Sequence, residues 1–155
     1  MLTIRIPPDV RQRIEDACEV AGRRETGGMV FGEHVAEDEF RVVDVTVSGQ
    51  GSIASFWRSL VEGLGHLEAF FKRTKRDYRR FNYLGEWHSH PSFALYPSGT
   101  DDATMLEIVN DPATGARFAV SIIVKLVDGE LEARAFAYFP GEHRSDAKVH
   151  MKASD

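Results

Sequence analysis

The sequence predicts an α/β (α+β) domain with strands and helices mixed along the chain. Three observations carry this. Runs rich in β-branched, aromatic and other apolar residues sit at 40–47, 81–84, 118–127 and 130–139, the composition of strands. Apolar residues recur at helical spacing over 10–21 and 56–71, as a helix packed by one face requires. No repeat, linker or change of composition divides the 155 residues. A single domain is therefore expected over 1–140, followed by a polar C-terminal tail, 141–155, that should fray.

Residues 2–6 read as a short edge strand. Pro7-Pro8-Asp9 opens a helix, because proline is well placed in a first turn. Val10, Ile14, Ala17, Cys18 and Ala21 form its apolar face, and Gly22 stops it. Arg23-Arg24 is a polar hinge. Residues 29–32 and 40–47 read as neighbouring strands joined by an acidic connection, 34–39. Ser48-Gly49-Gln50-Gly51-Ser52 is a loop by composition. Residues 55–80 read as one long helix with the stripe Phe56, Leu60, Leu64, Leu67, Phe70 and Phe71. Gly63 and Gly65 weaken it, at up to about 1 kcal/mol each against alanine. Its basic end, from Lys72 to Arg80, suits a solvated helix C-terminus better than a binding patch. Residues 101–109 form a short helix, and 118–127 with 130–139 form a hairpin about Asp128-Gly129.

Composition narrows the function classes. Hydrophobic and charged contents of 43% and 28% are those of an ordinary soluble protein. No run approaches the ~18 apolar residues of a membrane span, and the start, Met1-Leu2-Thr3-Ile4-Arg5, lacks a signal-peptide core. The single cysteine, Cys18, excludes an intramolecular disulfide and fits a reducing, cytoplasmic setting. On the apolar side of its helix it reads as a buried thiol. A net charge of -5 argues against general nucleic-acid binding. Neither a membrane nor a nucleic acid is expected as a partner.

The chemistry gathers in Gly85-Glu86-Trp87-His88-Ser89-His90-Pro91 and the ten residues after it. Side chains alternate along a strand, so His88 and His90 project from one face, roughly 7 Å apart along the chain. Ser98-Gly99-Thr100-Asp101 has the form of an N-cap followed by a first-turn acid. Asp101 thus comes close after the loop, where it could join the two imidazoles. Two histidines and a carboxylate, with a fourth position open to water, make a usual hydrolytic zinc site. Taken singly, His-Ser-His occurs by chance and Ser-x-x-Asp is a common capping box; the specificity lies in the combination.

That combination resembles the JAMM signature of the MPN+ (JAB-domain) metallopeptidases: His-x-His, seven residues, Ser, two residues, Asp. Here the seven are Pro91 through Pro97. The family also needs an upstream glutamate, and Glu25 in Glu25-Thr26-Gly27-Gly28-Met29-Val30-Phe31-Gly32 looks like it. The resemblance spans about residues 4–139 and implies the MPN/JAB fold, a curved mixed β-sheet flanked by helices. It implies one Zn2+ per chain held by His88, His90 and Asp101, with Glu25 as the base that moves the proton of the attacking water. Ser98 would donate its hydroxyl to the oxyanion, or else serve as the helix cap. Spacing selects Asp101 over its neighbour Asp102. Glu86 is a partner to a ligand imidazole, a surface carboxylate, or a substitute base for Glu25. Trp87 and Ser89 face the other way, and Trp87 reads as core. His34, His66, His143 and His150 lack ligand-like spacing.

By the same resemblance the activity is that of an isopeptidase or peptidase cleaving after the C-terminus of a ubiquitin-like modifier. The short 111–117 loop and Leu84-Gly85-Glu86-Trp87-His88-Ser89-His90-Pro91 look like the compact prokaryotic JAB proteins. Those sit beside E1- and E2-like proteins, including in bacterial anti-phage (CBASS) operons. The substrate would be an extended C-terminal tail laid beside a sheet edge. The alternatives are a processing peptidase for a sulfur-carrier precursor and a non-catalytic MPN scaffold, whose relatives lack one or more ligands.

Overall fold

The computed structural model describes residues 1–47, 64–112 and 117–151, and the side chains of all of these except 64–67. Its elements in chain order are β1 (Thr3–Arg5), α1 (Pro8–Ala21), β2 (Gly27–Ala36), β3 (Glu39–Val45), α2 (Leu64–Arg73), β4 (Phe81–Ser89), α3 (Gly99–Asn110), β5 (Ala119–Val127), β6 (Glu130–Tyr138) and β7 (Ser145–His150). The strands close into a barrel in the order β1-β3-β2-β4-β5-β6-β7. β1 runs parallel to both β3 and β7, and β4 runs parallel to β5. The other neighbours are antiparallel. The curved mixed sheet flanked by helices is therefore present, and its curvature goes to closure.

Two apolar clusters lie on the two faces of this sheet. α1 places Val10, Ile14 and Cys18 against Val30, Val42, Leu84, Trp87, Ile122 and Ala135, with Ala147 and Val149 of β7 packed alongside. α2 and α3 cover the other face: Phe70, Met105, Ile108 and Val109 meet Met29, Phe31, Ile123 and Phe136. The alternation along β5 and β6 serves both clusters, which is why 119–124 is apolar at almost every position.

Four expectations need correction. β1 is not an edge strand, because it pairs on both sides. The expected fraying tail carries β7, which hydrogen-bonds to β6 through Ser145–Ala147 and to β1 through Lys148–His150. Its polar sequence hid it, since all six residues are at least partly exposed. The acidic connection is shorter than 34–39: β2 runs to Ala36, and Asp38 turns the chain with φ of 55°. The long helix ends at Arg73 rather than Arg80. There Lys75 and Arg76 adopt left-handed backbone, and Thr74 Oγ1 donates to the carbonyl of Phe70. The loop at 48–52, the start of that helix with Phe56 and Leu60, the side chains of Leu64, His66 and Leu67, and much of the 111–117 loop lie outside the described residues.

Three of the six basic residues from Lys72 to Arg80 form ion pairs, two of them with strands distant in sequence. Arg73 reaches Asp44, Arg76 reaches Glu68 and Arg80 reaches Glu33. Glu33 is buried between Arg80 and Arg41. Burial works against its charge, but the two guanidiniums outweigh it and hold its carboxyl below the ordinary value.

One irregularity sets the phase of the functional strand. β2 and β4 pair Phe31 with Tyr83 but Val30 with Gly85, so Leu84 is an extra residue on β4. The bulge moves every later side chain to the opposite face. Tyr83 lies with the cluster under α2 and α3, and Leu84 and Trp87 lie with α1. Glu86 and His88 are thereby turned to the face that α3 covers. Gly85 makes the bulge possible. Its φ is 157°, and a Cβ there would sit 1.8 Å from the carbonyl oxygen of Val120 on the neighbouring strand.

Candidate metal centre

Local chemistry brings three sequence-distant ligand atoms to one point. His88 and His90 come from the end of β4. Asp101 comes from the first turn of α3, which Ser98 caps. Ser98 Oγ accepts from the Asp101 amide at 3.0 Å, and Asp101 Oδ2 accepts from the Ser98 amide at 2.8 Å. This reciprocal capping box fixes where Asp101 points; an N-cap of this kind contributes about 1 kcal/mol. The loop 91–97 spans the gap between the strand and the helix.

The geometry is tight. His88 Nε2 and His90 Nε2 are 3.0 Å apart. Asp101 Oδ2 is 3.3 Å from the first and 3.4 Å from the second. A tetrahedron with arms of about 2.0–2.1 Å, the usual zinc–ligand lengths, has edges of about 3.3–3.4 Å. The three atoms are thus spaced as one face of such a tetrahedron. All three residues are buried, at 4%, 5% and 7% exposure.

Hydrogen bonding fixes which nitrogens face inward. His88 Nδ1 lies 3.1 Å from Glu86 Oε1, and His90 Nδ1 lies 3.0 Å from the carbonyl oxygen of Ala94. Both partners only accept, so each Nδ1 carries the proton and donates it. Each neutral imidazole then turns a lone pair inward at Nε2. Two lone pairs and a carboxylate oxygen facing one another need a cation between them. The surrounding carboxylates show the same demand for positive charge, which a second proton on the rings meets where no ion does. Burial alone would lower the His88 pKa, but the charges of Glu86 and Asp101 outweigh it and push it up to about 10. Burial likewise opposes charge on Asp101, yet hydrogen bonds from His88 and His90 hold its carboxyl far below the usual range. The donor set fits zinc.

Of the predicted site residues, His88, His90 and Asp101 form the group among the described residues whose ligand atoms converge. Ser98 is beside them, but its side chain itself makes the cap. Accepting from Asp101 leaves its O–H free to donate. Glu25 is half-buried, two residues before Gly27, which stands directly opposite His88 across β2 and β4. The β2–β4 pairing begins at Gly27, and Glu25 itself lines a cavity beside α1 with Arg13, Ala17, Val20 and Val47. Thr26 is locked to β4 by two bonds: its amide donates to Ser89 Oγ at 2.9 Å, and its carbonyl accepts from the Ser89 amide at 2.8 Å. The middle residue of His-Ser-His thus anchors the segment that carries Glu25. Gly27 permits the approach, since a Cβ there would lie 2.4 Å from the Trp87 carbonyl oxygen.

Trp87 is fully buried and donates from Nε1 to the carbonyl of Thr46, as a core residue. His34 and His143 are exposed and His150 is half-exposed. Asp102 points away from the ligands, accepting from Tyr138 Oη at 2.7 Å and from Arg144 Nη1 at 2.5 Å. That contact ties the first turn of α3 to β6 and to the segment just before β7. Sequence reasoning did not find Ser121, Ala94 or Arg144. Ser121 did leave a signal, as the one polar residue in Ala119-Val120-Ser121-Ile122-Ile123-Val124. Arg144 left none in a polar stretch, and Ala94 acts through its backbone.

Comparison with known proteins bears on the family and the fold. The family model for prokaryotic homologs of the JAB domain matches residues 7–137. Two relatives called CD-NTase/cGAS isopeptidase, from Vibrio cholerae serotype O1 and Enterobacter hormaechei subsp. hoffmannii, are each 32% identical, over 50% and 70% of this chain. The matches span 49% and 59% of those relatives' own lengths. A solution structure of a protein from Desulfitobacterium hafniense superposes with a TM-score of 0.65 at 14% identity, covering 96% of this chain and 92% of that one. A JAB1/MPN domain protein from Archaeoglobus fulgidus superposes at 0.50 and 17% identity, covering 95% and 97%. With a fold matching a JAB1/MPN structure and the family model covering most of its length, this chain belongs to the prokaryotic JAB-domain family.

Proposed function

We propose that this chain is a zinc-dependent isopeptidase that releases a ubiquitin-like modifier from a protein conjugate, in a CD-NTase/cGAS-linked anti-phage setting. The observation that carries the proposal is the convergence of His88 Nε2, His90 Nε2 and Asp101 Oδ2 at zinc-like spacing. The names of the two relatives supply the isopeptidase activity and the CD-NTase/cGAS connection. A protein conjugate as substrate follows from that activity. E1- and E2-like partners and a cytoplasmic location belong to the same reading. Among the described residues, no helix is long and apolar enough to cross a membrane.

His88, His90 and Asp101 would hold the ion. Zinc there would lower the pKa of water towards about 7 and polarise an amide carbonyl. The remaining work falls to the protein. Glu25 takes a proton from the attacking water as its oxygen bonds to the carbonyl carbon. It then delivers that proton to the lysine nitrogen as the C–N bond breaks, so the amine leaves neutral. The free O–H of Ser98 donates to the carbonyl oxygen as negative charge builds there. Asp101 and the two imidazoles stay fixed throughout, one held by the capping box and the others through their Nδ1 hydrogen bonds.

The substrate tail needs a small terminal residue, because a side chain next to the scissile bond would collide with this buried centre. Processing of a modifier precursor uses the same residues on a peptide rather than an isopeptide bond. The test is incubation with zinc of two substrates: a modifier joined to a lysine of a CD-NTase/cGAS-type protein, and the same modifier fused to a reporter. Scission at the isopeptide junction, read by gel and mass spectrometry, is expected. Cleavage of the fusion alone would favour precursor processing. Cleavage of unrelated unfolded peptides with both junctions intact would mark a general peptidase and overturn the proposal.

A further inference from the structure

Glu86 is among the most buried side chains of the protein, at 1% exposure. A buried carboxylate is costly unless paired and hydrogen-bonded. Ser121, which pairs with it on β5, pairs in turn with Phe136 of the apolar cluster under α2 and α3. Strand pairing and helix capping make no use of its carboxylate. What it does touch is specific. Oε1 lies 3.1 Å from His88 Nδ1 and accepts from Ser121 Oγ at 3.0 Å. Ser121 stands directly across from Glu86 in the parallel β4–β5 register. The bulge at Leu84 and Gly85 is what turns Glu86 to this face. Behind one imidazole, then, stands a carboxylate held in place by a hydroxyl on the next strand. Behind the other stands only a backbone carbonyl, that of Ala94.

We infer that Glu86, held by Ser121, is a positioning residue that fixes the ring orientation and tautomer of His88 and strengthens its grip on the metal. This rests on the zinc reading above and extends it to residues outside the ligand set. A carboxylate accepting from Nδ1–H keeps the proton off Nε2 and makes that nitrogen a better donor. With Asp101 it also brings the buried charge to two carboxylates, matched to a doubly positive ion. His90 needs less, because the loop carbonyl already fixes its tautomer.

The experiment compares wild type with Glu86→Gln, Glu86→Ala and Ser121→Ala. Zinc affinity is measured by competition with a chromophoric chelator. The visible spectrum of the cobalt-substituted protein is recorded, along with the imidazole nitrogen NMR signals of the zinc-loaded protein. Glutamine can still accept from Nδ1–H but carries no charge. It should keep the His88 tautomer and lose about tenfold in zinc affinity. Alanine should lose about 100-fold, shift the cobalt spectrum and lose the protected Nδ1–H signal of His88. Ser121→Ala should fall between wild type and Glu86→Gln. A merely structural role would move thermal stability and leave the cobalt spectrum and the tautomer alone. Wild-type zinc affinity in Glu86→Gln, which preserves size and hydrogen bonding, would overturn the inference while leaving the zinc reading intact. A wild-type protein that binds no zinc would overturn both.

Discussion

Two histidines two residues apart point the same way in any strand; here they converge because of what holds their outer nitrogens. Glu86 and the Ala94 carbonyl turn both Nε2 atoms inward, and the capping box brings Asp101 to meet them. Separate roles predict separate phenotypes. Glu25→Ala should lower turnover by about 100- to 10,000-fold, the usual worth of a general base, with zinc content and fold retained. Asp101→Ala should lose zinc and activity together. Paired metal analysis and single-turnover kinetics check both. Cys18 gives a test of the core. Burial, and then the nearby Glu15, push its thiol from 9.0 up to about 11. The folded state therefore keeps the proton that the unfolded chain gives up. The resulting stability is present in full below about pH 9 and is lost as pH rises through about 11. Chemical denaturation across that window should show the decline, and Cys18→Val should flatten it. The convergence of His88, His90 and Asp101 was legible in the sequence because capping and strand alternation are local rules. Their supporting contacts were not, because Ser121 and Arg144 reach the site only through strand pairing.

At the scale of elements, β4 decides which face the chemistry occupies. Plain alternation from Tyr83 would put Glu86 and His88 against α1; the extra residue at Leu84 puts them under α3. Spacing in sequence shows that His88 and His90 share a face, but a bulge cannot be read from it, so which face remained hidden. Gly85→Ala tests this directly. Its Cβ would meet the Val120 carbonyl oxygen at 1.8 Å, so the bulge must shift or the β4–β5 pairing must part. We expect a loss of about 1–3 kcal/mol in urea denaturation, the range for a strained backbone site, and weaker zinc binding. A variant as stable as wild type would mean that the bulge does not depend on glycine. Helix limits are legible where caps are local, as at Pro8 and Ser98. The end of α2 is not, because the left-handed turns at Lys75 and Arg76 carry no glycine signal.

For the whole molecule, the lesson is closure. Hydropathy places the end of the domain near residue 140, because residues 141–155 are polar. Yet β7 joins β6 to β1 and completes the barrel. Its hydrogen bonds are backbone bonds, to which side-chain hydropathy is blind. Arg144, just ahead of it, also steadies the turn of α3 that presents Asp101, through Asp102. A chain cut after Gly141 should therefore lose cooperative unfolding and zinc binding alike, as seen by circular dichroism on heating and by metal analysis. A cut protein that melts as sharply as the full chain would show that closure contributes little.

The central claim is that His88, His90 and Asp101 form a zinc centre on which cleavage depends. The most direct measurement is zinc bound per chain, by mass spectrometry of metal in the purified protein, alongside cleavage before and after chelation. Close to one zinc per chain is expected, with loss of cleavage when it is stripped and recovery when zinc is restored. A chain that cleaves its conjugate at full rate with no metal bound would contradict it.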